Sequence, residues 1–255
     1  MKIVTFGSIK GGVGKTSMAA MTANCLAAAG FKVLVIDMDW NNSLSFYYLD
    51  KEGAEMAREK NIAAALFDAG GNIQNYIVPT RKENIKMIPS SLGLLDLQAI
   101  SDRRLKIELS SLPDDLFDVV IIDTAPTYDN IVRNAYGASD FIITPIELTQ
   151  FDYNTAVCLS KKLKTETDKF NNWFLLFNGI NLKGSKKQNE YVEMFRGGFS
   201  NFTPEETWMP KRESVKDVLD RDLKIRKTNP LFSAVVNLAE CFIDDDAKFE
   251  NLEAF

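Results

Sequence analysis

Residues able to do chemistry gather at three places in the chain. Near the N-terminus a short apolar run, residues 3–6, leads into Gly7-Ser8-Ile9-Lys10-Gly11-Gly12-Val13-Gly14-Lys15-Thr16-Ser17 and then into an alanine-rich stretch. Glycines let backbone N–H groups turn inward onto phosphate oxygens, and a helix starting here adds the positive end of its dipole. Lys15 is placed to reach β- and γ-phosphates and the Thr16 hydroxyl to ligate Mg²⁺. The second place is Asp123, which closes Val119-Val120-Ile121-Ile122 and there can hold a magnesium-bound water. The third is Asp37 and Asp39, which follow Val33-Leu34-Val35-Ile36. Any one of these aspartates could simply cap a helix. Three of them at two strand ends beside a phosphate loop point to a magnesium–nucleoside triphosphate site.

Such a site needs strands that end together and helices that start there. Residues 3–6, 32–37, 85–89, 118–123, 141–146, 174–178 and 207–209 read as strands, several of them continuous apolar runs of the kind buried on both faces. Residues 16–29, 94–109, 128–137 and 154–167 read as helices between them. This alternation predicts an α/β fold, a mostly parallel twisted sheet of about seven or eight strands flanked by helices, with ligands at the carboxyl ends of strands. Without an internal repeat or a Pro/Gly/Ser linker, residues 1–255 are expected to form a single domain.

Composition removes several chemistries. The 255 residues include no histidine, which excludes imidazole bases, Ser-His-Asp triads and histidine metal sites. Cys25, Cys158 and Cys241 are too widely spaced for a CxxC metal site and are expected to be buried free thiols. No apolar run approaches the roughly 18–20 residues of a membrane span, and the loop begins too early to leave room for a signal peptide, so a cytoplasmic protein is expected. The net charge of −5 argues against a uniformly basic surface yet allows a local patch that attracts phosphate.

The loop departs from the common GxxxxGK[ST] pattern: Ile9 stands where the first glycine would, and Lys10 precedes the double glycine. KGGxGK[ST] near the N-terminus, a D-x-D strand end and an Ile-Asp-Thr strand end together resemble the deviant Walker A ATPases. That family includes ParA, Soj, MinD, the nitrogenase iron protein and the arsenite-pump ATPases. The stretch from Met87 to Leu94 resembles the family's third strand and the helix after it, and Trp208-Met209-Pro210-Lys211-Arg212 resembles its late "IPR" segment. The resemblance implies a single P-loop NTPase domain, here without a helix-turn-helix domain ahead of it, that takes ATP and Mg²⁺. No NKxD-type guanine motif argues for GTP.

The same resemblance assigns roles. Lys10 matches the signature lysine that reaches a partner's phosphates across a nucleotide-sandwiched homodimer, and with Lys15 and Asp39 it completes the implied catalytic set. Asp39 matches the aspartate that orients attacking water, Asp37 a supporting carboxylate, and Asp123 a carboxylate that meets magnesium through water. On the metal side stand Thr16, Asp39 and Asp123; the nucleotide is implied to lie on Lys10, Gly11, Gly12, Val13, Gly14, Lys15, Thr16 and Ser17, with Asn178 and Pro210 near the base. One departure stands out: Asp39 is followed by Trp40-Asn41-Asn42 where ParA-like chains usually have Pro-Gln-Gly.

Among family members the reading favoured is a short ParA-type ATPase of plasmid or chromosome segregation. It implies an ATP-dependent homodimer that binds DNA without sequence preference, sits on the nucleoid, and is stimulated by a small centromere-binding adaptor. Two basic groups are candidate DNA contacts: Lys211, Arg212, Lys216, Arg221, Lys224, Arg226 and Lys227, and a second group, Lys183, Lys186 and Lys187, without nearby acids. Either could equally be an ordinary solvated surface. A MinD-like membrane regulator is the alternative, although residues 241–255 are acidic rather than basic and would be repelled by anionic lipid, so no membrane partner is expected. A small-molecule enzyme on the same fold is the third reading. No cysteine falls near residues 119–123, as the nitrogenase iron protein would need.

Overall fold

The computed structural model describes residues 1–255 except 68–71, 98–100, 102, 212–218, 220, 221, 223 and 244–247. Its strands are β1 (Lys2–Phe6), β2 (Val33–Met38), β3 (Val78–Pro79), β4 (Ile85–Ile88), β5 (Val119–Thr124), β6 (Phe141–Ile146), β7 (Trp173–Ile180) and β8 (Met209–Pro210). They form one eight-stranded sheet in the order β3-β4-β2-β5-β1-β6-β7-β8. Every neighbouring pair is parallel except β3 with β4, so the expected mostly parallel α/β sheet is the one found. Both edge strands are two residues long and contain a proline, which lacks the N–H that would extend a ladder to another chain.

Among the described residues the helices are α1 (Lys15–Ala28), α2 (Ser43–Tyr48), α3 (Lys51–Met56), α4 (Ile62–Phe67), α5 (Arg104–Leu109), α6 (Asn130–Ala138), α7 (Gln150–Glu166), α8 (Lys186–Gly198) and α9 (Pro230–Glu240). Period-two alternation divides the central strands between two cores. Val33, Val35, Val119 and Ile121 face α1, α9 and the chain end, whereas Leu34, Ile36, Val120 and Ile122 face α4, α5 and α6. A third cluster joins β6 and β7 to α7 and α8 through Ile142, Leu175, Phe177, Leu159 and Phe195. Alanines at 19, 20, 23 and 27 let α1 approach the sheet closely.

Some expectations need correction. The apolar periodicity over 94–109 does not make one helix. A 3-10 turn, Leu92–Asp96, ends at Leu97, whose backbone (φ −82°, ψ 49°) is not helical, and α5 starts only at Arg104. Helix α7 starts four residues before the expected 154, because the Thr149 hydroxyl accepts the Asp152 N–H at 3.2 Å and so caps it. Of the three thiols only Cys25 is buried; Cys158 and Cys241 are exposed. Among the described residues no helix is long and apolar enough to cross a membrane.

Candidate nucleotide site

Register brings the chemical residues together before any side chain is considered. Phe6 pairs with Asp123 and Asp123 with Asp37, so the loop after β1 starts beside both carboxylates. The root of the loop is fixed from below. Gly7 N–H donates to Ile143 O at 3.0 Å, and Gly7 O accepts from Thr144 Oγ1 at 2.7 Å, which itself accepts from Trp173 Nε1 at 2.8 Å. The fully buried Tyr136 ring lies where a Gly7 side chain would begin, so no other residue fits there without displacing the ring. Gly12 (φ 76°) and Gly14 (φ 97°) take left-handed conformations that turn the loop into α1. Asn178, near the carboxyl end of β7, donates from Nδ2 to Val13 O at 2.9 Å.

The first turn of α1 carries no acidic residue, leaving its N–H groups and dipole free to favour an anion. Gly11 and Gly12 are exposed, Ser17 is half-buried, and Lys15 is buried with only 7% of its surface exposed. Burial pulls the Lys15 ammonium below its ordinary pKa, and the charges of Asp123 and Asp39 offset part of that. Its Nζ donates to Lys10 O at 3.3 Å.

Thr16 Oγ1 donates to Asp123 Oδ2 at 2.6 Å, while Asp123 Oδ1 is buried with no hydrogen-bond partner. Burial, then the negative charge of Asp37, pushes the Asp123 carboxyl well above the usual range, against the pull of Thr16 and Lys15. A magnesium ion fits this donor set: a threonine hydroxyl at the loop end, and behind it a buried carboxylate oxygen that lacks a donor.

Asp37 is fully buried and accepts three hydrogen bonds: Ser45 N at 2.8 Å, Ser45 Oγ at 2.7 Å and Asp39 N at 3.1 Å. Burial pushes its carboxyl up to about 6 despite those bonds. Asp39 Oδ1 accepts from both the backbone and the side-chain amide of Asn41 at 3.0 Å. The unusual Trp40-Asn41-Asn42 thereby acquires a physical role. Asn41 holds Asp39, Asn42 adopts φ 57° to start α2, and Trp40 is left 40% exposed.

Lys10 behaves unlike Lys15. Its Nζ meets Asp152 Oδ2 at 2.7 Å and Glu147 Oε2 at 3.7 Å, and the Asp152 side chain is 1% exposed. Asp152 also pairs with the Thr149 hydroxyl. Neither acid belongs to a motif of the sequence that points to the loop. The Thr-x-x-Asp spacing at 149–152 marks a helix start, but only the fold shows that the start faces the loop.

The remaining candidates divide. Pro210 is buried in β8, where Met209 pairs with Asn178, so the two expected base-side residues are neighbours. Lys183 is exposed before α8 and Lys186 and Lys187 are exposed in its first turn. An acid does lie near them, since Glu190 Oε1 is 4.0 Å from Lys186 Nζ, one helical turn on. Lys211, Lys224, Arg226 and Lys227 are exposed, Lys227 with Glu253 at 3.5 Å, whereas Arg212, Lys216 and Arg221 fall outside the described residues. Lys211 follows the end of β8 and Lys183 the neighbouring end of β7; Arg226 instead bridges to Ala254 near the chain end.

Comparison with known proteins agrees with this geometry. A family model described as an AAA domain matches residues 1–175. The sporulation initiation inhibitor protein Soj of Bacillus subtilis is 30% identical over 188 residues, 70% of this chain and 71% of Soj. A Methanocaldococcus jannaschii relative is 31% identical over 160 residues, and the match spans 61% of that protein's length. A Borrelia burgdorferi plasmid partition protein solved with AMPPNP superposes with a TM-score of 0.77 at 25% identity, covering 94% of this chain and 98% of that one. A ParA solved on nonspecific DNA shares the fold at TM-score 0.69 and 18% identity, covering 94% and 96%. A glycine loop rooted on Thr144 and Tyr136, ending on Lys15 and Thr16 over Asp123, and found in a chain so matched, places this protein in the AAA-domain family of P-loop ATPases, among the ParA/Soj-type members.

Proposed function

We propose that this chain is a ParA-type, Mg²⁺-dependent ATPase of plasmid or chromosome segregation, cytoplasmic and bound to the nucleoid in its ATP form. The observation that carries the reading is the constellation Lys15, Thr16, Asp123, Asp39 and Asp37 gathered at one loop mouth. Lys15 and the N–H groups of the loop hold the β- and γ-phosphates, and Asn178 with Pro210 flank the base. Bound with the nucleotide, Mg²⁺ supplies positive charge at the phosphate oxygens, with Thr16 and Asp123 the residues that would hold it. Asp39, steadied by Asn41, orients the water that attacks in line, with no covalent enzyme intermediate.

A second copy is proposed to close this face. Trp40, Phe46, Leu92, Leu95, Phe151 and Leu182 are six of the eight large apolar residues exposed among the described residues, and each lies within about eight residues after the carboxyl end of a strand, at the edge where the phosphate loop opens. Apolar surface concentrated at one edge supports a protein interface there. Lys10 stands at the same edge, positioned to meet a partner's phosphates once it leaves Asp152. Nonspecific DNA is proposed to lie on Lys183, Lys186, Lys187 and the basic run 211–227, with a small centromere-binding adaptor stimulating turnover. The MinD-like reading is disfavoured by packing. Phe242, Phe249 and Leu252, which a lipid-facing tail would present, are buried in the core.

Asp39→Ala tests the assignment. The variant should bind ATP as the parent does, hydrolyse it about 100-fold more slowly, and show twice the monomer mass by light scattering in ATP but not in ADP. Parental turnover would remove Asp39 from the mechanism, and an unchanged mass would remove the ATP-dependent dimer.

A further inference from the structure

Of the two carboxylates at the end of β2, Asp37 holds together more of the surrounding chain, and a single serine hydroxyl organises its contacts. Asp37 is fully buried near the carboxyl end of the strand and pairs in register with Asp123. Its Oδ2 accepts the Ser45 N–H at 2.8 Å and the Ser45 hydroxyl at 2.7 Å, and its Oδ1 accepts the Asp39 N–H at 3.1 Å. The Ser45 N–H stands in the first turn of α2, where a helix offers its own N–H groups no carbonyl, and Asn42 ahead of it makes no side-chain cap. Asp37 therefore does from the strand what a capping residue does from the turn before a helix.

The Ser45 hydroxyl uses both of its hydrogen-bonding roles. It donates to Asp37 and accepts the Ser90 N–H at 3.0 Å, two residues past the end of β4. Strand β4 is the parallel neighbour of β2, with Ile36 opposite Ile88, so one hydroxyl fastens the ends of two adjacent strands to one carboxylate. Ser45 and Ser90 are both buried, and an alanine at 45 would leave the Ser90 N–H without its acceptor and Asp37 with one donor fewer. From Asp37 the contacts continue to Asp39. Both hydrogen bonds to the Asp39 side chain, from Asn41 N and Nδ2 at 3.0 Å, fall on Oδ1, and among the described residues Oδ2 receives none. Asp37 thus fixes the Asp39 backbone and Asn41 its side chain, which leaves Oδ2 as the oxygen open to a reactant.

We propose that Ser45 is a positioning residue for hydrolysis: its hydroxyl holds Asp37, Asp37 holds the Asp39 N–H, and Asp39 Oδ2 is thereby kept in place for the attacking water. The inference rests on the reading that Asp39 orients that water. A displacement of about 1 Å at a reacting group lowers a rate on the order of 100-fold, and a hydrogen bond lost one residue behind that group should lower it less. Among the described residues no hydrogen bond joins Ser45 to loop residues 7–17, so the effect falls on turnover and not on nucleotide affinity.

Steady-state hydrolysis of Mg·ATP by the full chain, with ATP affinity read by calorimetry, tests this. Ser45→Ala should lower kcat about tenfold while KM and affinity stay within about twofold of the parent. Ser45→Thr keeps the hydroxyl and should hold kcat within about twofold. Ser45→Cys fills similar space with a weak donor; it is the second variant should the alanine chain fold poorly, and it should lose about threefold or more. Repeating Ser45→Ala in an Asp39→Ala background, in single turnover, separates positioning from general support of the fold. Acting through Asp39, it should add less than about twofold to the loss already present, whereas a structural role would impose the same loss again. Parental kcat in both Ser45→Ala and Ser45→Cys, or an equal loss in the two backgrounds, would overturn the role of Ser45 alone. A parent that binds ATP without hydrolysing it would overturn the ATPase reading and the role of Ser45 with it, and Asp39→Ala at the parental rate would remove Asp39 together with Ser45.

Discussion

The two lysines of the phosphate loop sit five residues apart and are held in opposite ways. Lys15 is buried beside the charges of Asp123 and Asp39, which the register of three central strands brings to the loop. Lys10 is 30% exposed and held by an acid pair, Asp152 and Glu147, at the start of α7. One cation is part of the proposed nucleotide cradle as the chain folds. The other is docked beside it, on a side-chain contact that can be exchanged for a better anion. Under the proposed function, this difference would let a single loop bind nucleotide as a monomer and await a second copy for turnover.

Substitutions can break this contrast in order of expected size. Lys10→Ala should lower turnover by about 10³-fold or more, as loss of a trans-acting cation does, while ATP affinity of the free chain stays within about threefold by isothermal calorimetry. An equal loss of affinity would mean that Lys10 works within its own site. Lys15→Ala should weaken ATP binding by about 100-fold or more in the same calorimetric assay, because it removes a charge-assisted contact from a desolvated site. Gly7→Ala should destabilise by about 1–3 kcal/mol in urea unfolding, since the added methyl meets the buried Tyr136 ring. A neutral result would show that Tyr136 can move and that the loop root is softer than its hydrogen bonds suggest. Asp152→Asn should give the smallest change, about 1–2 kcal/mol of stability from a weakened partly buried pair at a helix N-terminus, with unstimulated turnover rising a few-fold as Lys10 is freed. A fall in turnover would instead make Asp152 a residue that presents Lys10 to its target.

How far the sequence alone reached follows the same division. The parallel strands, the loop and the aspartates at strand ends were readable because they are local: an apolar run, a glycine pattern and a carboxylate placed where the run stops. Partners fixed only by tertiary approach were not. Nothing in Thr149 or Asp152 announces that α7 begins opposite Lys10, and nothing in Tyr136 announces that Gly7 must lie against its ring. The span 94–109 misled because, among its described residues, the apolar spacing serves a 3-10 turn that ends at Leu97 and a helix that starts at Arg104 rather than one helix. Trp40-Asn41-Asn42 departs from the Pro-Gln-Gly usual after this aspartate. In the fold Asn41 takes over the support of Asp39, and Asn42 supplies the left-handed turn that many residues would resist.

The central claim, that occupancy of this loop by ATP is what makes the chain bind DNA, is tested most directly by one titration. Fluorescent duplex DNA of arbitrary sequence, titrated with the parent chain in Mg·ATP, in Mg·ADP and without nucleotide at two salt concentrations, should give cooperative, salt-sensitive binding in ATP alone. Equal DNA affinity in all three states, or none in ATP, would contradict it.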